Sequence, residues 1–148
     1  MAAIIGMAIL LALAATLLAT ATAVADPDDH VLQVDVVGLK NDAGMVHFLV
    51  AASRAQFEDG VEPVRKGRVP IERNRASFRF EGLPDGDYAI KLFHDANGND
   101  EFDRNVIGWP KENYGFSNNP DVHFRAPDFD EVKFRFDADH RSVEIKIH

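Results

Sequence analysis

The sequence predicts an all-β protein, an antiparallel β-sandwich of about seven strands preceded by a signal peptide. Three observations predict this fold class. Apolar and polar residues alternate in six segments, no segment after residue 25 has a helical period, and turn-forming residues separate the segments. Alternation with a period of two is typical of strands that have one buried and one solvated face. Several such strands without helices form two packed sheets.

The N-terminal block from residue 2 to residue 25 is apolar and contains no charged residue. It ends in Ala23-Val24-Ala25, a small-x-small sequence of the kind that signal peptidase cleaves. We therefore predict a signal peptide over residues 1–25 and a single mature domain over residues 26–148, located in the periplasm or secreted. An uncleaved membrane anchor is the alternative, because roughly 20 apolar residues can span a bilayer.

The predicted strands follow one another along the mature domain. Each has apolar residues at every second position and is bounded by residues that favour turns. They cover residues 32–36, 46–50, 76–80, 88–92, 132–136 and 143–147, with a seventh strand expected at Arg68–Ile71 or Val122–Phe124.

Two turns are predicted between these strands. Residues 137–140 are predicted to join the last two strands as a hairpin. Pro84-Asp85-Gly86 predicts a tight turn, because Pro presets φ and Gly accepts a positive φ. This turn, followed by Tyr88 and alternating aliphatic residues, resembles the prealbumin-like sandwich domains of exported bacterial proteins.

Two connections are long. Residues 53–75 are predicted to form a loop rich in basic residues, which is either a solvated surface or a place that receives an anion. Residues 95–121 are rich in Asn, Gly, Asp and Pro but also contain four aromatic residues. Loops longer than about 12–15 residues are uncommon in compact domains and are often functional. We expect the second loop to be an ordered excursion packed on one end of the sandwich.

The start of this second loop carries oxygen-bearing side chains at alternate positions. Calcium takes six to eight oxygen ligands, which a loop with this spacing can supply. The loop is not an EF-hand, because Asp100 and Val106 replace the Gly and the closing Glu of that motif. The alternative is a metal-free network in which Asp and Asn side chains bond their own backbone. The predicted calcium ligands are Asp95, Asn97, Asn99, Glu101 and Asp103, with His94 and Glu112 in support.

Other polar and aromatic residues have weaker chemical signals. His94 continues an inward-facing set and is expected to be a hydrogen-bonded histidine at the rim of the core. The histidines show no partners at the spacing of zinc ligands, so no cofactor besides calcium is expected. Ser117 lacks the second Gly of a nucleophile elbow and is expected in a turn. Trp109 and Tyr114 form either a stacking surface for sugars or a satellite core.

Composition excludes several classes of function. The chain has 24 acidic and 16 basic residues and a net charge of −8, which is unsuitable for binding nucleic acid. It has no Cys, which excludes disulfides and thiol catalysis. No catalytic residue set is identifiable, so the protein is not expected to be an enzyme.

Four stretches together resemble the exported bacterial family called domain of unknown function 2141. They are Leu32–Leu39, Gly86–Ile90, His94–Asn105 and Gly108–Asn119. Members of that family usually have Gly after the second Asn of the loop, where this chain has Asp100. The resemblance covers essentially the whole mature domain and implies an exported sandwich without an assigned activity.

The function predicted from these observations is an exported, non-enzymatic binding or structural module. Its partner would be a protein or glycan of the cell envelope, and membrane contact would come only through an uncleaved signal segment. A small periplasmic hydrolase is one alternative, with His94 and either Asp103 or Glu112 as acid–base groups. A carbohydrate-binding module using Trp109 and Tyr114 is the other.

Overall fold

The computed structural model describes residues 30–148, which form two β-sheets packed face to face. The predicted signal peptide over residues 1–25 lies outside the described residues. Within residues 30–148, no helix has the length and apolar character needed to cross a bilayer. The predicted all-β fold class is confirmed, with eight strands and two short helices in this part of the chain.

The smaller sheet has three strands in the order β4-β1-β8. The central strand β1 pairs antiparallel with β4 and parallel with β8, so one pairing departs from the expected antiparallel arrangement. The strands are β1 (Val31–Val37), β4 (Ala76–Glu81) and β8 (Ser142–Lys146).

The larger sheet has five strands, of which four follow the order β3-β2-β5-β6 and the fifth, β7, pairs with the first residues of β5. All its pairings are antiparallel. The strands are β2 (Met45–Ala51), β3 (Arg65–Pro70), β5 (Gly86–Asp95), β6 (Tyr114–Phe116) and β7 (Phe134–Phe136).

The core lies between the sheets and consists of the alternate apolar residues of the strands. Val34 and Val36 from β1 meet Val46 and Val50 from β2, and all four side chains are fully buried. Fully burying an aliphatic side chain contributes about 1.5–3 kcal/mol. The alternation therefore determines which face of each strand packs inward.

The predicted hairpin between the last two strands is wrong. A turn does form, because the backbone groups of Asp137 and His140 bond each other in both directions. The strands on either side then separate, since β7 joins the larger sheet and β8 joins the smaller one. Alternation identifies a strand but contains no information about its partner.

The stretch 53–75 is not a loop. It contains helix α1 (Arg54–Glu58) and strand β3, which overlaps the first of the two sites expected for a seventh strand. Helix α1 is capped by Ser53, whose hydroxyl accepts a hydrogen bond from the backbone of Gln56 at 3.3 Å. A helix of five residues is too short to show a helical period in the sequence. A second short helix, α2, spans Phe129–Val132.

The stretch 95–121 is ordered, and some of its residues line a cleft beside the larger sheet. Strand β6 lies within it and pairs with β5, and residues between Asp100 and Pro110 flank the face of the larger sheet that points away from the core. An isolated bridge between Arg104 and Pro110 folds its middle back on itself.

Candidate functional site: a cleft on the outer face of the larger sheet

The outer face of the larger sheet is built from the residues that alternate with the core set. Strand register aligns them in two rows that run across β3, β2, β5 and β6. Because every second residue of a strand points to the same face of the sheet, all side chains of each row point away from the core. One row is Arg68, His47, Phe93 and Tyr114, and the other is Lys66, Leu49, Lys91 and Phe116.

Helices α1 and α2 cover part of this outer face. Phe57 from α1 and Phe129 from α2 are buried in a second apolar cluster with Ala51 and Ala89 of the sheet. The rest of the face forms the floor of an open cleft of about 1430 Å³. One wall is lined by Phe102, Arg104, Ile107 and Trp109, and another by residues 122–128.

Aromatic rings run without a break along the cleft floor. Phe93 stacks on His47 with ring centroids 4.9 Å apart, and its other neighbour is Phe102 at 5.2 Å. Phe102 meets Tyr114 edge-on at 6.2 Å, and Tyr114 meets Phe116 at 5.7 Å. Aromatic pairs at these distances favour each other beyond the area that they bury.

The two residues predicted as a ligand surface, Trp109 and Tyr114, line the same cleft. Tyr114 is half-buried in the floor, whereas Trp109 lies at the rim and is 52% exposed. Phe124, from the lining segment 122–128, is 96% exposed. Large apolar side chains that line one groove and face water are typical of a binding surface.

Basic residues outnumber acidic ones around the cleft. The acidic residues have partners, since Glu58 pairs with Arg54, Asp100 pairs with Arg68, and Asp128 caps α2. The basic residues are Arg54, Lys66, Arg68, Lys91, Arg104 and Arg125, and the acidic ones are Glu58, Asp100 and Asp128.

Three of the cleft cations have no carboxylate partner among the residues the structure describes. They are Lys66, Lys91 and Arg104. The ammonium of Lys91 instead donates a hydrogen bond to the carbonyl oxygen of Phe57. Its Nζ also lies 5.1 Å from the centroid of the Phe57 ring. Burial lowers the pKa of Lys91, because a desolvated ammonium is costly. The cleft therefore combines aromatic side chains with three cations that form no ion pair with a described carboxylate.

Asp95, the first predicted calcium ligand, is fully buried at the end of β5. Its Oδ1 accepts the backbone N–H groups of Gly98 at 2.7 Å and Asn99 at 3.2 Å, and its Oδ2 accepts that of Asp100 at 2.9 Å. Burial alone raises the pKa of Asp95, but these hydrogen bonds and the nearby His47 outweigh it and lower the pKa. Asp95 therefore organises the loop as a carboxylate.

The other predicted calcium ligands form hydrogen bonds with one another. The side-chain amides of Asn97 and Asn99 donate to the two carboxylate oxygens of Asp103, at 2.7 and 3.2 Å. The side-chain oxygen of Asn99 accepts the backbone N–H of Glu101, and Glu112 accepts that of Asp103. These contacts are those of the metal-free alternative, and calcium binding stays a prediction.

Two residues considered for catalysis have structural contacts. His94 is 4% exposed, and its Nε2 lies 2.6 Å from the carbonyl oxygen of Ala43. Ser117 is fully buried and bonds the backbone of Ile90 and Val132 through its hydroxyl. Neither side chain lines the cleft.

The floor residues Leu49, Lys91 and Phe93 alternate with core residues, and a period of two predicts a solvated face at such positions. A signal was present, because Leu49 and Phe93 are apolar at positions where a solvated face carries polar residues. When odd and even positions of a strand both carry apolar residues, both faces of the strand are expected to be covered.

Comparison with known proteins gives one match. A family model described as "Uncharacterized protein conserved in bacteria (DUF2141)" matches residues 34–144. No curated protein and no solved structure matches.

Proposed function

The chain belongs to the DUF2141 family, and we propose that it is an exported, non-catalytic binding module. Its cleft takes a small organic anion with an apolar or aromatic body. The observation that carries this proposal is the lining of the cleft, where the floor and one wall combine a continuous aromatic surface with three cations that have no carboxylate partner among the described residues. Export is supported by the Ala23-Val24-Ala25 sequence.

The apolar body of the ligand follows from the floor and the rims. Small-molecule sites are concave and mostly apolar, with a few polar groups that orient the ligand. Leu49, Phe93 and Tyr114 supply the apolar floor, and Trp109 and Phe124 extend it on the two walls. The continuous series of aromatic rings offers an apolar or aromatic body a surface on which to stack.

The anionic group of the ligand follows from the charge distribution. The protein has a net charge of −8, which repels anions at long range, yet Lys66, Lys91 and Arg104 of the cleft have no carboxylate partner within residues 30–148. A cleft lined with one sign of charge raises the local concentration of the opposite ion. An anion bound beside Lys91 also compensates an ammonium that burial has partly desolvated.

The test uses a matched pair of dyes, 1-anilinonaphthalene-8-sulfonate and N-phenyl-1-naphthylamine, which share a ring system but differ in the sulfonate. Trp109 is the only tryptophan of the chain and lies at the cleft rim, so quenching of its fluorescence reports occupancy. We expect the sulfonate dye to bind at least about tenfold more tightly than the uncharged dye, which corresponds to 1.4 kcal/mol.

Two variants and a control locate the binding. Lys91→Met is expected to remove most of the preference for the sulfonate dye while leaving the uncharged dye unaffected, and Tyr114→Ala is expected to weaken both dyes. Lys40→Met is the control, because Lys40 is exposed and does not line the cleft. Equal binding of the two dyes, or an equal effect of Lys91→Met and Lys40→Met, contradicts the proposal.

A further inference from the structure

We propose that His47, Asp95 and Asp100 form a site for a zinc-like divalent metal ion at one end of the cleft. These residues come from β2, from the end of β5 and from the loop that follows it. The site goes beyond the anion-binding function and shares only Asp95 with the calcium ligands predicted from the loop.

The distances between the donor atoms suit a small tetrahedral ion. The Nε2 of His47 lies 3.4 Å from Oδ2 of Asp95 and 3.3 Å from Oδ1 of Asp100. All three donor atoms lie within 4.8 Å of one another. Metal–ligand bonds of about 2.0–2.1 Å in tetrahedral geometry place neighbouring ligand atoms about 3.3 Å apart. Two of the three separations therefore already match, and the third needs only a movement of the exposed Asp100.

The imidazole nitrogen lies beside two carboxylate oxygens but forms no hydrogen bond with either of them. The Nε2 of His47 is buried and makes no hydrogen bond in the described part of the chain. A buried polar atom without a partner is costly, and such atoms often mark a bound ion or water. The ring is held in place by its stacking on Phe93, so the nitrogen stays directed at the two carboxylates.

Asp95 is arranged in advance as a ligand. Its side chain is 1% exposed, and three backbone N–H groups hold the carboxylate in one orientation. Contacts of this kind orient metal ligands and preserve their charge. Its Oδ2 accepts only the N–H of Asp100, so a lone pair remains for an ion beside His47.

Arg68 competes with the metal for Asp100. Its guanidinium bonds the same carboxylate oxygen that we assign to the ion. Arg68 is exposed, so it can move away when an ion binds. We therefore expect Arg68 to weaken metal binding, so that replacing Arg68 raises the affinity for the ion. If His47 only pairs with the two carboxylates and no metal binds, replacing Arg68 does not raise the affinity for a metal ion.

The donor set also selects among ions. One imidazole nitrogen and two carboxylate oxygens suit zinc, which binds both kinds of ligand in four-coordinate sites. Calcium requires six to eight oxygens, which this cluster does not supply. His47 and Asp100 both line the cleft, so the fourth coordination position is accessible from it.

Zinc titration of the chelator-treated protein tests the site, with calorimetry for affinity and thermal melting for stabilisation. We expect one zinc per chain, a rise in Tm, and no comparable effect of calcium. His47→Gln is expected to weaken zinc binding by at least about tenfold, and Arg68→Gln is expected to strengthen it. His140→Gln is the control, because His140 is an exposed histidine paired with Asp137 outside the cluster.

Several results overturn the proposal. The first is a zinc affinity that is unchanged in His47→Gln. The second is a loss of zinc affinity in His140→Gln as large as that in His47→Gln, and the third is calcium binding as tight as zinc binding. If His47→Gln fails to fold, Asp100→Asn and Arg68→Gln replace it, because both residues are exposed. Asp100→Asn is expected to weaken zinc binding and Arg68→Gln to strengthen it. Zinc affinity that stays unchanged or moves in the opposite direction in these variants overturns the proposed site. The dye experiment uses neither ion, so its failure and the failure of the metal site are distinguishable.

Discussion

The hydroxyl of Ser117 donates a hydrogen bond to the carbonyl oxygen of Val132 across 2.6 Å. Both residues are fully buried. The same hydroxyl accepts the backbone N–H of Ile90 at 2.9 Å, so one side chain joins the middle of β5 to the end of α2. Two backbone groups that no strand pairing satisfies therefore find their partner in a residue just after β6.

Replacing Ser117 by Ala is expected to lower the free energy of unfolding by about 1–3 kcal/mol, because a buried N–H and a buried carbonyl both lose their partner. Urea unfolding of the two proteins measures the difference. Ser142→Ala is the matched control on the exposed side of β8, where a change within about 0.5 kcal/mol is expected. A similar loss in both variants contradicts the role of Ser117.

The sequence determines the core of this fold better than its connections. Val34 and Ile90 are buried where the alternation predicts, because a period of two depends only on neighbouring residues. The partner of a strand depends on distant ones. Phe136 and Val143 both follow the predicted alternation, yet they belong to different sheets.

The candidate site is predictable only in part, for the same reason. Trp109 and Tyr114 stand out as aromatic residues in a polar loop, and both line the cleft. The approach of His47 to Asp95 depends on the register between β2 and β5, which brings together residues far apart in the chain. The spacing of residues along the sequence does not predict this register.

Two glycines with the same φ of +72° provide a matched comparison of strain and space. A Cβ on Gly44 would lie 1.8 Å from the carbonyl oxygen of Asp95, whereas a Cβ on Gly98 would meet nothing within 4 Å. Both Gly→Ala variants have the backbone penalty of a left-handed conformation, about 1–2 kcal/mol. We expect Gly44→Ala to cost about 1–3 kcal/mol more, because the backbone must shift. Equal Tm values for the two variants contradict this expectation.

The hydrogen bonds around Asp103 lead to a prediction about calcium. Both of its carboxylate oxygens are bonded by the amides of Asn97 and Asn99, so a calcium ion at this place would have to break these contacts. We expect millimolar calcium chloride to leave Tm unchanged after chelator treatment, and Asp103→Ala to lower Tm with or without calcium. A rise in Tm on adding calcium that is absent in Asp103→Ala would support the calcium loop instead.

The turn between β7 and β8 has a pH dependence that can be checked. Asp137 accepts hydrogen bonds from the ring of His140 at 2.8 Å and from the backbone of Asp139 at 3.0 Å. The bond from His140 is the main reason that the pKa of Asp137 falls from 3.8 to about 2. A carboxyl group whose pKa is lower in the folded state than in the unfolded state stabilises the folded state at pH values above its unfolded-state pKa. This contribution disappears as the pH falls through its folded-state pKa.

The stabilisation from Asp137 is therefore expected to be complete above about pH 4 and to decline toward pH 2. His140→Ala should move the pKa of Asp137, followed by the NMR shift of its carboxyl carbon, back toward 3.8. In Asp137→Asn, Tm should fall less steeply between pH 4 and pH 2 than in the unmodified protein, because the group that takes up the proton is gone. Asp121→Asn removes an exposed carboxylate outside the turn and should leave the carboxyl shift of Asp137 unchanged. An Asp137 titration that is the same with and without His140 would mean that the backbone bonds alone lower the pKa.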